Sequence, residues 1–148
     1  MMSSIAFESK LIPPAELRHF LKDSGLKYTE EQVTEPHRGA AESILHFLTE
    51  NKEAIQFFVG LFGAFNYWME YQKLQIEKRK EDREAEKHEV EMEMKRLEIL
   101  EKRTVLHVTQ KNGDVLILTN GTEAAIARQL EQDAPGLQPS QIERVELK

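Results

Sequence analysis

Apolar and polar positions alternate near the start of the chain. Over residues 3–12, Ile5 and Phe7 are apolar and their neighbours are mostly polar, which is the pattern of a strand with one buried face. Pro13 and Pro14 follow directly. Because proline lacks the N–H that a strand donates, the pattern predicts that the strand ends here.

A helical spacing replaces this alternation after the prolines. Apolar residues recur at i, i+3 and i+4 from Leu17 until Gly25, and proline is well tolerated in the first turn of a helix. We therefore predict a short amphipathic helix here, followed by a second strand over residues 26–33. Together these elements make residues 1–38 a small β-α-β module.

The centre of the chain is predicted to be helical from end to end, as a region spanning residues 39–103. No proline lies between Pro36 and Pro135. Residues 40–50 carry apolar side chains at helical spacing, namely Ile44, Leu45 and Leu48. With a joint at residues 49–51, the following 52 residues, 52–103, predict one continuous rod of about 78 Å at 1.5 Å per residue.

The first half of this rod is apolar on nearly every side. Residues 54–69 read AIQFFVGLFGAFNYWM, a run of 16 that spans about 24 Å as a helix, less than the ~30 Å core of a bilayer. Gly60 and Gly63 each cost about 1 kcal/mol of helix stability relative to alanine, a cost that close helix approach usually offsets. A helix that is apolar all round has to be buried by something.

The second half is dominated by charge. Residues 77–103 include 19 charged side chains among 27, a mosaic of both signs that is typical of a solvated helix face. Val90, Met94 and Leu97 restore a 4,3 apolar spacing near its end. That spacing is enough for a short coiled-coil contact.

The last third predicts a β-hairpin. The runs TVLHVTQ at residues 104–110 and VLILTN at 115–120 are rich in β-branched residues and are separated by a segment that contains Asn112 and Gly113. Asn-Gly is a strong hairpin signal because both residues accept a positive φ.

A helix and a final strand are predicted after the hairpin. Thr122 is a good N-cap for a helix over residues 124–132. In the last segment Ile142, Arg144 and Glu146 alternate with Glu143, Val145 and Leu147, which predicts a final strand over 142–147. Residues 104–148 therefore form a ββαβ module, and the chain as a whole is predicted to be an α+β protein.

Composition narrows the function classes. With 26 acidic against 20 basic residues among 148, and a formal charge of -6, there is no cationic surplus to displace counterions from phosphates, so nucleic acid is not an expected partner. The absence of cysteine excludes disulfides and thiolate chemistry. The first twelve residues lack the basic and apolar regions of a secretory signal, and a cytoplasmic location is expected.

No pattern of residues predicts catalysis. The chain has neither a phosphate-binding loop nor a dinucleotide fingerprint, and the zinc-helix pattern that begins at His88 and Glu89 has Met92 where the second histidine is needed. No nucleophile and base pair can be named. We therefore expect a protein that is not an enzyme, with no cofactor and no metal.

Self-association is the sharper interpretation of the apolar helix. Modules of about forty residues rarely have spare surface to cover such a helix, which favours oligomerisation at residues 54–76. A core helix within one domain and insertion into a membrane are the alternatives. The predicted interface is Phe58, Leu61, Phe62, Phe65, Trp68, Met69, Val90, Met94 and Leu97.

The order of elements resembles a known family. The segments AFNYWMEYQKLQIEKRK and TVLHVTQKNGDVLILTNGTEAAIARQL look like the corresponding parts of the effector-associated constant component proteins of bacterial conflict systems. The resemblance covers most of the chain and is one of architecture and of one turn. It implies a non-enzymatic companion of a separate effector protein and transfers no catalytic residue.

The expected function is thus a non-catalytic, oligomerising adaptor or scaffold whose partners are itself and an effector protein. The alternative is a membrane-docked or membrane-disrupting component that uses residues 54–69. Two arrangements stay open at this point. A straight central helix would hold the terminal modules of one chain far apart, whereas a helix that folds back would let them complete one sheet.

Overall fold

A computed structural model describes residues 4–22, 24–33, 42–48, 53–82 and 87–148. These residues form an α+β fold with a long central helix, as predicted. The elements in chain order are β1 (Ser4–Ser9), α1 (Pro14–Leu21), β2 (Tyr28–Val33), β3 (Glu42–Leu48), α2 (Ala54–Asp82), α3 (Lys87–Arg103), β4 (Val105–Gln110), β5 (Val115–Thr119), α4 (Glu123–Asp133), a 3₁₀ turn (Pro139–Gln141) and β6 (Ile142–Leu147).

Strands from both ends of the chain join in one six-stranded sheet, in the order β2-β3-β1-β6-β4-β5. β1 pairs with β6 in parallel, and every other neighbouring pair is antiparallel. Because β1 and β6 are neighbours, the N-terminal and C-terminal segments complete one another's sheet, which is the second of the two arrangements left open by the sequence.

The sheet buries one face. Leu45, Phe7, Val145 and Val108 come from four successive strands of that face and are almost wholly excluded from solvent. They belong to one hydrophobic core together with apolar residues of α1, α2 and α4. The other side of the sheet, here called the open face, carries the alternate residues of each strand.

Helix α2 lies in the centre of this core. Phe58 and Phe65 are 0% exposed, and Phe62 and Met69 are 1% exposed. The expectation that the flanking segments cannot cover this helix is therefore wrong. The physical reason is the shared sheet, since six strands joined edge to edge offer a far wider apolar surface than two separate small modules.

Residues 42–48 were predicted to be helical and form strand β3 instead. Ile44, Leu45 and Leu48 have helical spacing, but Leu45 and Phe47 also alternate with the half-buried His46. β3 lies between β2 and β1 and pairs with both. Hydrogen bonds to these two strands pair the backbone of β3 on both edges. The spacing of apolar residues within β3 cannot reveal such pairing with other strands.

The charged half of the central region folds back on the apolar half. Lys73 Nζ on α2 lies 2.8 Å from Glu101 Oε2 on α3, and Arg79 pairs with Glu93. In a single straight rod Lys73 and Glu101 would stand about 42 Å apart. The predicted rod is thus corrected to an antiparallel pair of helices, and the half-buried Leu97 and Leu100 pack against the core from α3.

The C-terminal predictions are confirmed. β4 and β5 form the hairpin, with Gly113 at φ +94 in the turn, where glycine adopts the left-handed conformation without strain. The Asn112 side chain accepts the Asp114 N–H at 2.9 Å. Thr122 caps α4 by accepting the Ala125 N–H at 3.2 Å.

Candidate functional site

The outward side of α2 carries three large apolar side chains in one row. Tyr67 is 62% exposed, Tyr71 43% and Leu74 54%. Their 4,3 spacing places them on one side of the helix, roughly opposite the buried Phe58 and Phe65. We call these three residues the α2 stripe.

Helix α1 supports the α2 stripe from one side. The Phe20 ring lies 5.3 Å from the Tyr67 ring and 5.7 Å from the Tyr71 ring, centroid to centroid, within the range of favourable aromatic contact. The Trp68 indole N–H donates to Glu16 on α1 at 3.1 Å. The two tyrosines are therefore held by a neighbouring helix and present a preformed surface.

A groove of about 350 Å³ runs beside the stripe, between α1 and α2. Gly60, Gly63 and Ala64 form its floor, and Phe20 and Tyr67 belong to its walls. A Cβ added at Gly63 would meet nothing within 4 Å. The glycine expected to allow close helix approach therefore faces open space, so the groove admits a further chain.

Charges of opposite sign border the α2 stripe. The positively charged Lys22, directly after α1, lines the groove on one side together with His19. Glu70, one residue before Tyr71, is exposed on the other side, where it lines a second cavity. A partner lying along the stripe would thus meet an ammonium group on one flank and a carboxylate on the other.

This second cavity is an open cleft of about 880 Å³ between α2, α3 and the segment joining β5 to α4. Several of its polar side chains form hydrogen bonds or an ion pair within the molecule. The Asn66 and Asn120 amides bond to each other, and the Thr104 hydroxyl donates to the Leu100 carbonyl at 2.6 Å. Lys73 forms the ion pair with Glu101 on its wall.

Two further observations bear on chemistry. Within the described ranges, no three histidine, aspartate or glutamate side chains are grouped to hold a metal ion. Over the same ranges, none of the helices has the length and hydropathy required to cross a bilayer.

The structure places the predicted interface residues mainly inside the molecule. Phe58, Leu61, Phe62, Phe65, Trp68 and Met69 are buried with the core, and Val90 is buried on α3. Met94 and Leu97 are half-buried on the same helix. These residues were assigned to an interface on the argument that the flanking segments are too small to bury them. That argument is wrong, because packing within the molecule already covers the six side chains of α2.

Sequence reasoning missed the α2 stripe. In the sequence, Tyr67 is one of many apolar residues in a helix that has no polar face. Nothing in this pattern distinguishes one side of the helix from another. The 4,3 spacing of Tyr67, Tyr71 and Leu74 is the signal that could have found it. That signal acquires meaning only once the opposite side of α2 is known to be buried.

No protein-family model, curated protein or solved structure matches the chain.

Proposed function

We propose that this protein is a non-catalytic, oligomerising adaptor that binds a helix of a separate effector protein along the α2 stripe. The single observation that carries the proposal is the row of Tyr67, Tyr71 and Leu74, exposed on a helix whose other side is buried in the core. Tyrosines held in place lose little conformational freedom on binding and are enriched at binding hot spots.

The shape of this surface favours a helical partner. Residues at 4,3 spacing match the apolar row of an amphipathic helix, and Gly63 in the neighbouring groove leaves open space for a second backbone. Lys22 on one border favours acidic side chains on that flank of the partner, and Glu70 favours a basic group on the other flank.

An accessory role beside an effector also follows from the resemblance to effector-associated constant component proteins. The membrane alternative rests on residues 54–69, whose Phe58, Phe62 and Phe65 are buried in the core and would reach lipid only if the fold opened.

Titration with a helical peptide tests the proposal. The probe carries leucines at 4,3 spacing, glutamates along one flank and lysines along the other, and binding is followed by NMR of the labelled full chain. We expect the largest shift changes at Tyr67, Tyr71 and Leu74. Tyr71→Glu, which puts a charge in the centre of the α2 stripe, should weaken binding at least about tenfold, since desolvating an unpaired charge is costly.

Ile99→Glu is the matched control. Ile99 is an apolar residue of α3 that is 51% exposed and lies outside the α2 stripe, so its replacement should leave binding unchanged. The proposal is refuted if the wild-type protein does not bind the peptide, or if Tyr71→Glu binds as tightly as Ile99→Glu.

A further inference from the structure

Strand β5 forms one edge of the sheet and has a free backbone side. In the β4–β5 hairpin the Gln110 N–H donates to the Asp114 carbonyl at 2.8 Å. Since hydrogen-bonded pairs alternate in an antiparallel ladder, Leu116 and Leu118 bond to β4. The N–H and C=O groups of Val115, Ile117 and Thr119 consequently point away from the sheet.

One of these three residues is already capped. Gln129 of α4 accepts the Thr119 N–H at 2.9 Å through Oε1 and donates to the Thr119 carbonyl at 3.1 Å through Nε2. The Gln129 side chain therefore pairs with the backbone N–H and C=O of Thr119 in the way that a neighbouring strand would. This leaves the outward backbone groups of Val115 and Ile117 unpaired within the described part of the chain.

The uncapped part of the β5 edge also carries neither a charge nor a proline, two of the features that discourage strand pairing. The sequence of β5 is VLILT, and the side chains of Val115 and Ile117 are 59% and 51% exposed on the open face. The opposite edge, β2, carries two charged residues, Glu30, which pairs with Arg18, and Glu31, whose side chain is 61% exposed. Charged edge residues discourage such pairing, so β5 is the better prepared of the two edges of the described sheet to accept another strand.

We propose that β5 pairs antiparallel with β5 of a second copy of this chain, centred on Leu116, so that Val115 of each copy bonds to Ile117 of the other. The two sheets of six strands then become one sheet of twelve. The proposal rests on the adaptor function, for which it supplies the self-association surface. It replaces the buried face of α2, which self-association was first expected to use.

The free groups themselves favour a second copy over an unrelated strand. Two free residues placed two positions apart are complementary to themselves when the strands run in opposite directions, and the Thr119–Gln129 pair stays intact in this register. Asp114 lies opposite Leu118 of the second copy, so the two Asp114 carboxylates are offset by about 13 Å along the strands. The register also sets valine and isoleucine side by side on the open face, a favourable cross-strand pair.

Light scattering coupled to size-exclusion chromatography tests the pairing. We expect the wild-type chain to have twice the monomer mass of 17.2 kDa and to dissociate on dilution. Ile117→Lys and, independently, Val115→Lys should each shift the mass to that of the monomer. Ile99→Lys replaces an isoleucine of equal exposure on α3 and should leave the dimer intact.

Hydrogen exchange supplies a second readout that does not depend on a substitution. The amides of Val115 and Ile117 should become protected as protein concentration rises, while the Leu116 and Leu118 amides, bonded within the chain, stay protected throughout. A monomer at all concentrations would overturn the proposal, and so would a dimer that survives both lysine variants or forms without protecting these two amides.

The same variants separate this proposal from the adaptor function. Ile117→Lys should become monomeric and still bind the helical peptide, whereas Tyr71→Glu should lose the peptide and remain dimeric. A wild-type chain that dimerises but does not bind the peptide would contradict the adaptor proposal alone. A wild-type chain that binds the peptide but stays monomeric would contradict the β5 pairing alone.

Discussion

The indole N–H of Trp68 donates a hydrogen bond of 3.1 Å to the carboxylate of Glu16. Trp68 lies on α2 and Glu16 on α1, so this bond fixes the helix that supports the α2 stripe. The indole is 7% exposed. It therefore has little access to water if its acceptor is removed.

We expect Glu16→Ala to lower the free energy of unfolding by about 1–2 kcal/mol, because a buried donor without a partner retains its desolvation cost. Glu16→Gln keeps an acceptor and should cost less. Trp68 is the only tryptophan, so its fluorescence in urea reports the unfolding directly. Equal stabilities of the alanine and glutamine variants would contradict the role of this bond.

Phe62→Ala tests the placement of α2 in the core. The side chain is 1% exposed, and its truncation should cost about 3–5 kcal/mol through lost burial and the cavity left behind. Leu74→Ala, on the exposed side of the same helix, should change stability by less than about 1 kcal/mol. Urea unfolding at several protein concentrations makes the comparison, and similar losses for both variants would show that the helix is oriented differently.

The two glycines of α2 should respond differently to alanine. At Gly63 the added Cβ meets nothing within 4 Å, so the better helix propensity of alanine should raise stability by about 1 kcal/mol. At Gly60 it would lie 3.0 Å from Leu26 Cδ1, and displacing that side chain offsets part of the gain. Thermal unfolding of both variants should therefore rank Gly63→Ala above Gly60→Ala, and the reverse ranking would be inconsistent with the groove.

Thr122→Ala should destabilise the protein by about 1 kcal/mol, because the Ala125 N–H then loses the side-chain acceptor at the start of α4. Thr122→Asp retains an acceptor at the N-cap and serves as the control. Thermal melting followed by circular dichroism distinguishes them. A melting temperature of Thr122→Ala equal to that of the wild type would argue against the cap.

The local elements that the sequence predicts correctly are those whose causes are local. The β4–β5 hairpin follows from the turn chemistry at Asn112 and Gly113, and the start of α4 follows from Thr122. Strands β1 and β6 are visible as alternating apolar positions, since one of their faces is buried. The hairpin and the cap depend on residues close in sequence, whereas the two strands are visible only through the spacing that one-sided burial requires.

The errors arise where partners are distant in sequence. Residues 42–48 have an ambiguous spacing, and pairing with β1 and β2 makes them a strand. The charged segment has no residue that demands a reversal, yet Lys73 and Glu101 lie side by side. The candidate site was missed for a related reason, because an apolar helix offers no clue to which of its sides is left exposed.

The sequence by itself determined the α+β class, the positions of most helices and strands, and the need to bury the phenylalanines of α2. Only the tertiary structure decided what buries them. The pairing of β1 with β6 joins the two ends of the chain and creates one apolar surface wide enough to cover α2. Burial depends on area assembled from distant strands, so no local pattern could show that the exposed surfaces would be the α2 stripe and the β5 edge.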